Sequence, residues 1–170
     1  WAPQAYRIAA AVKRAGLPVV LGGVHASLNP DEAILHADYV VRGEGEETLP
    51  ELLLAMDGRG ALGDVAGLSY WRVDEGTRTP IHNPARAPLD TAGLDRVPFP
   101  RFDLIQGLER YPLNRMIYFT MLTRGCDQAC TYCSITRVFG RALRHRSVHN
   151  VLDELGSRWD PKRQFLFFMD

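Results

Sequence analysis

Cys126, Cys130 and Cys133 are the only three cysteines of the chain, and they stand together in Arg124-Gly-Cys-Asp-Gln-Ala-Cys-Thr-Tyr-Cys-Ser134 as C-x3-C-x2-C. Three thiols within eight residues suit one metal centre far better than a hydrophobic core. Thiolates are the preferred ligands of iron-sulfur clusters, and three protein ligands for four irons leave one iron open to a substrate or cofactor. An electron carrier usually closes all four irons with cysteine, so the spacing points toward catalysis. Two other readings compete with it. Structural zinc takes four protein ligands, commonly as paired short spacings, and no second pair follows; His145 or His149 could complete such a site, but both lie in an arginine-rich stretch that suits anions better. A disulfide framework favours an even cysteine count in a small secreted chain.

Composition sets a wide frame. With 170 residues, 46% hydrophobic content and a formal net charge of zero, the chain has room for one ordinary domain or parts of two. No apolar run approaches the roughly 20 residues of a membrane helix, and no signal peptide opens the chain. Thiol ligation without a targeting segment points to the reducing cytoplasm. The start at Trp1 without methionine, and the end at Asp170 just after an apolar run, read as a piece of a longer protein. Charge is unevenly spread: seven acids and one arginine lie between Asp31 and Glu51, against four arginines and no acid from Gln128 to Leu152. Arg137, Arg141, Arg144 and Arg146 therefore either face an anion or the cluster, or form a solvated loop face. Nucleic acid is disfavoured, because the basic stretch is short and the chain neutral overall.

Helix and strand signals alternate. Ala5 to Ala15 reads as a helix ended by Gly16, and Leu17 to Leu21 as a buried strand running into Gly22-Gly23. A short helix from Pro30 to His36 and a strand from Asp38 to Val41 lead to Gly43-Glu-Gly-Glu46. The next helix places Leu49, Leu52, Leu53 and Met56 on one expected core stripe. Such alternation implies a parallel sheet with ligands at its carboxyl edge, where both glycine turns fall. Farther on, Gly67 to Val73 and Arg78 to His82 form an expected hairpin around Asp74-Glu-Gly76. Phe99 and Phe102 of Val97-Pro-Phe-Pro-Arg-Phe-Asp103 read as packing anchors. Met116 to Leu122 reads as a strand buried on both faces. Ser147 is the expected cap of a helix carrying Val148, Val151, Leu152, Leu155 and Trp159, and Phe165 to Met169 is the following strand.

The cysteine motif, with Tyr132 just before its last Cys, resembles the signature of the radical S-adenosylmethionine (SAM) superfamily. The resemblance implies that Cys126, Cys130 and Cys133 hold a 4Fe-4S cluster whose open iron chelates SAM, with Tyr132 beside the adenine. Reductive cleavage of SAM then yields a 5'-deoxyadenosyl radical that removes a hydrogen atom from an unactivated carbon. Leu21-Gly-Gly-Val-His-Ala-Ser-Leu-Asn-Pro30, followed by Asp38-Tyr-Val-Val-Arg-Gly-Glu-Gly-Glu-Glu-Thr48, resembles the C-terminal half of the cobalamin-binding domain found in front of many radical SAM barrels. In that family the turns at Gly22, Gly23, Gly43 and Gly45 let the backbone approach the corrinoid. The alternative is that both turns merely reverse the chain. The Asp-x-His-x-x-Gly stretch that supplies a cobalt-ligating histidine in some relatives is missing, so His25 and His36 receive no such role.

The expected fold is α/β. It comprises the C-terminal part of a Rossmann-like (flavodoxin-like) cobalamin-binding domain over residues 1–60, a linker with a hairpin over 61–115, and the first βαβ unit of a radical SAM partial (β/α) barrel over 116–170. Asp170 is a candidate first polar contact to SAM; no residue is assigned to catalysis. The implied function is methylation, cyclisation or rearrangement of a small-molecule, lipid or tetrapyrrole-like substrate, with electrons from a donor such as flavodoxin or ferredoxin. The alternative is an iron-sulfur electron-transfer or redox-sensing protein without radical chemistry, against which the missing fourth cysteine counts. A transfer RNA methylthiolating enzyme would carry further cysteines upstream of Cys126, and there are none.

Overall fold

Apolar residues alternating between two faces of short strands organise the first part of the chain in this computed structural model, which describes residues 1–107, 110, 117–128 and 130–170. The chain divides into two compact units, one of residues 1–88 with 128–140 and the other of residues 89–127 with 141–170. In the first unit, helix α1 (Ala2–Arg14) leads to strand β1 (Val20–Leu21), helices α2 (Gly23–Leu28) and α3 (Pro30–His36), strand β2 (Tyr39–Val41) and helix α4 (Gly45–Met56). β1 and β2 are parallel, with Val20 opposite Tyr39 and Leu21 opposite Val40. Strands β3 (Leu68–Asp74) and β4 (Thr77–His82) extend the sheet antiparallel in the order β1-β2-β3-β4. Their hairpin turns at Glu75 and Gly76, both at positive φ, as a two-residue loop of the primed type requires.

Period-two alternation places the core on both faces of this sheet. Val40 and Leu21 pack with Ala9, Ala26, Ala33 and Ile34 of α1, α2 and α3 on one side. Val20, Tyr39 and Val41 pack with Leu52 of α4 and with Leu68 on the other. Helices on both faces and a parallel pair at one edge make a mixed α/β unit.

Several elements differ from their sequence patterns. The strand expected over 17–21 contracts to Val20–Leu21, since Pro18 has no amide to donate and the Val19 amide donates to the Asp38 carboxylate at 2.9 Å instead of to a ladder. Residues 23–28, whose sequence carries no clear helical signal, form α2. In α4 the expected stripe is rotated. Leu52 is buried, but Leu49, Leu53 and Met56 are exposed, because Thr48, Leu52 and Ala55 turn toward the sheet and Thr48 donates to the Ala66 carbonyl at 2.9 Å.

In the second unit, helix α5 (Thr91–Arg96) is capped by Asp90, whose carboxylate accepts from the Gly93 amide at 2.7 Å. Strand β5 (Ile117–Thr120) pairs in parallel with β8 (Phe165–Phe168), and a small antiparallel ladder joins β6 (Thr123–Arg124) to β7 (Arg144–His145). Helix α6 (Ile135–Val138), in the excursion between β6 and β7, groups with the first unit and lies against α2. Helix α7 (Val148–Arg158) follows β7 and is capped by Ser147, as its sequence suggests.

The strand expected over 116–122 is shorter than its apolar run, and Met116 lies outside the described residues. Tyr118 and Thr120 are buried while Ile117 and Phe119 are half-buried, so only one face of β5 is fully closed. The stripe expected on α7 also fails in part. Val148 and Leu152 are exposed, and the residue fully buried on this helix is Glu154. Its carboxylate faces the hydroxyls of Tyr118 and Thr120, and a charged helix residue is buried where it has such partners. Among the described residues no helix is long and apolar enough to cross a membrane.

Candidate functional site

Two parallel strands that end side by side, each followed by a glycine turn and a helix, form the carboxyl edge of the first sheet. β1 runs into Gly22-Gly23 and α2; β2 runs into Gly43, Glu44 and Gly45 at the start of α4. The four glycines divide by role. Gly23 (φ 86°) and Gly43 (φ 72°) occupy the left-handed region that side chains disfavour, and a Cβ at either would meet open space. Gly22 and Gly45 pack inward instead: a Cβ on Gly22 would stand 3.3 Å from the Val41 carbonyl oxygen, and one on Gly45 3.3 Å from Val41 Cγ1. Gly23 and Gly43 thus leave backbone open to an approaching ligand, while Gly22 and Gly45 seat the turns on β2.

Neighbouring polar groups stiffen this edge. Ser27 on α2 donates from Oγ to the Gly23 carbonyl at 2.8 Å and accepts from the Gly43 amide at 2.9 Å, so one hydroxyl joins the two turns. Sequence reasoning gave Ser27 no role. Arg42, just before Gly43, is half-buried and donates to the carbonyls of Leu68 and Asn83; burial lowers its pKa from the usual guanidinium value. His25 Nε2 lies 3.0 Å from the Tyr6 hydroxyl, and His36 stacks on Tyr6 with ring centroids 3.9 Å apart, so both histidines have local partners.

The stem that leads into the cysteine motif is held within the second unit. Asp170 Oδ1 accepts from the amides of Leu122 at 2.9 Å and Thr123 at 2.8 Å and from the Thr123 hydroxyl at 3.1 Å. The Arg146 amide donates to the Leu122 carbonyl at 2.9 Å. Its guanidinium donates to the Met121 carbonyl at 3.2 Å, to Asn150 Oδ1 at 2.7 Å and to the buried Glu154 carboxylate, and it lies 5.7 Å from the Phe99 ring centroid. Glu154 also accepts from Tyr118 at 2.9 Å and Thr120 at 3.1 Å. Burial first, and then the bond to this carboxylate, raises the Tyr118 phenol above its ordinary pKa and keeps it protonated.

Neither sequence reading of the arginine-rich stretch describes Arg146, which serves an internal ion pair. Arg144 donates to the Leu89 carbonyl at 2.7 Å and Arg141 to the Asp127 carbonyl at 3.2 Å. The Arg146–Glu154 pair and Phe99 border an apolar cavity of about 310 Å³ in this unit. Phe102 meets Tyr118 edge to face at 5.5 Å, in keeping with a packing role.

All three cysteines are free thiols, Cys130 exposed and the other two half-buried. The Cys133 amide donates to the Cys130 carbonyl at 3.2 Å, a tight turn that places Thr131 and Tyr132 at its tip with Tyr132 90% exposed. Among the described residues no three His, Cys, Asp or Glu side chains are gathered as ligands for a metal ion. The donor set itself, three soft unpaired thiols on one loop, suits an iron-sulfur cluster.

Residues 2–53 match the B12 binding domain family. The chain is 33% identical to an uncharacterized methyltransferase of Pyrococcus horikoshii, over 81% of this chain and 29% of that protein. It is 29% identical to the bacteriochlorophyllide d C-12(1)-methyltransferase of Chlorobaculum tepidum, over 99% of this chain and 33% of that protein. It is 31% identical to the anaerobic magnesium-protoporphyrin IX monomethyl ester cyclase of Rubrivivax gelatinosus, over 80% of this chain and 25% of that protein. The chain thus spans a third or less of the length of these relatives. Its fold matches the radical SAM methyltransferase TsrM of Kitasatospora setae, solved with cobalamin and a 4Fe-4S cluster, with a TM-score of 0.67 and 21% identity over 99% of this chain and 34% of that one. The family match over residues 2–53 bears out the resemblance drawn from the glycine turns, and the likeness of fold to TsrM extends over nearly the whole chain.

Proposed function

We propose that this chain is the part of a cobalamin-dependent radical SAM enzyme that carries the corrinoid-facing turns and the cluster loop. The observation that supports this most directly is the set of three free thiols, spaced C-x3-C-x2-C, that follows strand β5 of a parallel pair. In this reading Cys126, Cys130 and Cys133 hold the 4Fe-4S cluster, and Tyr132, exposed at the turn between two of them, lies beside the adenine of SAM. Gly23 and Gly43 admit the corrinoid, while Gly22 and Gly45 hold those turns against Val41. When bound, the cluster with SAM supplies a 5'-deoxyadenosyl radical and the corrinoid a transferable methyl group. The chain's own work is positional: Asp170, Arg146 and Glu154 hold the stem from which the cysteine loop departs, and Ser27 and Val41 hold the glycine turns.

Residues 1–60 then correspond to the C-terminal part of a Rossmann-like cobalamin-binding domain, 61–115 to a connector whose hairpin joins the first sheet, and 116–170 to the first βαβ unit of the barrel. Two of the named relatives carry bacteriochlorophyllide and magnesium-protoporphyrin in their names, which favours a tetrapyrrole-like substrate here, with methylation or cyclisation as the outcome. A flavodoxin or ferredoxin in a reducing cytoplasm is the fitting electron donor.

Electron paramagnetic resonance of the reduced, anaerobically reconstituted whole protein, with and without SAM, tests the reading. A four-iron signal that shifts when SAM is added is the expected result. A signal indifferent to SAM, or full iron content after Cys126→Ala, Cys130→Ala or Cys133→Ala, overturns it.

A further inference from the structure

We infer that Ser27 is a latch that sets the spacing of the two glycine turns for the corrinoid, and so is a positioning residue for cofactor binding. The inference rests on the cobalamin reading above. Ser27 lies on α2 between Ala26, buried in the core beneath the sheet, and Leu28 at the end of the helix, so the packing of Ala26 fixes the direction of its side chain. Its one hydroxyl proton goes to the Gly23 carbonyl at 2.8 Å and one of its lone pairs takes the Gly43 amide at 2.9 Å. A bond to the carbonyl four residues back is an ordinary habit of helical serine. A second bond, to an amide in the turn after a different strand, is not local, and it joins the two turns whose positive-φ glycines leave open backbone.

The latch also decides what the second turn offers a ligand. With its amide held by Ser27, Gly43 presents its open Cα face and not a free donor. A close-fitting planar macrocycle is sensitive to the separation of two such turns, because near-contact geometry is lost over a few tenths of an ångström.

The test uses the whole protein, hydroxocobalamin and two variants. Ser27→Ala is expected to weaken hydroxocobalamin binding by roughly tenfold, the scale of one or two hydrogen bonds lost from a preorganised site. Ser27→Thr, which keeps the hydroxyl, is expected to bind within about threefold of the wild type on the same scale. Hydrogen exchange at the Gly43 amide is expected to quicken by roughly tenfold in Ser27→Ala alone, without any cofactor present. Circular dichroism and iron content report that the fold and the cysteine loop are intact. Equal binding by wild type and Ser27→Ala overturns the latch and leaves the cobalamin reading standing. A wild-type protein that binds no hydroxocobalamin overturns that reading and this inference together.

Discussion

The edge where the glycine turns meet and the stem of the cysteine loop solve the same problem, holding a loop still at the end of a parallel strand, by opposite means. At the first, backbone conformation does most of the work. Two glycines in the left-handed region, two packed on Val41 and one serine hydroxyl set the shape, above an apolar core. At the second, side-chain charge does it: Asp170 gathers two amides and a hydroxyl, and Arg146 ties Met121 and Asn150 to a fully buried Glu154. A backbone-built edge tolerates changes of charge but not of φ. A charge-built stem tolerates small shifts of backbone but not the loss of one partner, which strands the other away from water.

The contrast is sharpest at Glu154. Glu154→Ala is expected to cost about 3–5 kcal/mol in urea denaturation, because the largely buried Arg146 then loses its carboxylate. The double variant Arg146→Met with Glu154→Leu is expected to recover most of that loss. A single-variant loss under about 1 kcal/mol, the range of exposed ion pairs, would mean that the stem does not depend on the pair.

Next in size is the core beneath the glycine edge. Leu52→Ala is expected to cost about 2–5 kcal/mol, and Leu53→Ala, on the exposed side of α4, no more than about 0.5 kcal/mol. Thermal or chemical denaturation compares the two, and equal losses would restore the stripe that periodicity alone suggested.

At the turns themselves, Gly43→Ala is expected to destabilise by about 1–2 kcal/mol through backbone strain, although its Cβ meets open space. A neutral result would show that the turn relaxes easily and is not the rigid half of the comparison.

The smallest effect is electrostatic and belongs to the first unit. Partial burial acts to raise the Asp38 carboxyl, but the Lys13 ammonium at 2.9 Å, the Val19 amide and the Arg78 charge together bring it below its ordinary value. A depressed carboxyl contributes stability that is fully present above about pH 4 and is lost as the pH falls through its lowered folded pKa. Asp38→Asn is therefore expected to flatten the acid limb of a stability-against-pH profile and to leave its slope above pH 5 unchanged, the opposite of what a raised carboxyl would give.

How much of this was legible follows from the kind of force involved. The glycine turns, the helix ended by Gly16, the hairpin around Glu75 and Gly76, and the Ser147 cap all depend on φ preferences or on bonds across a few residues, and their chemistry is written locally. The helical stripes were legible only in part. Leu49, Leu53 and Met56 have the right spacing for a core face, yet α4 turns Thr48 and Leu52 inward because an acceptor at Ala66 and apolar partners at Val41 and Leu68 lie there. On α7 the same logic reverses polarity, since the hydroxyls of Tyr118 and Thr120 and the Arg146 guanidinium make Glu154 the residue to bury. Asp170 reads from the sequence as a candidate polar contact to SAM, but its bonds to Leu122 and Thr123 reach back more than forty residues and leave no local trace.

By itself the sequence determined where the glycine turns fall, which segments are apolar, and that three thiols share one loop, because glycine conformation and cysteine spacing act within a few bonds. Only the tertiary structure decided which side of α4 and α7 is buried, that one serine joins two turns, and that an arginine in a basic stretch belongs to an internal carboxylate. Those choices depend on partners tens of residues away, and a polar group is buried only where the folded chain supplies its hydrogen bonds.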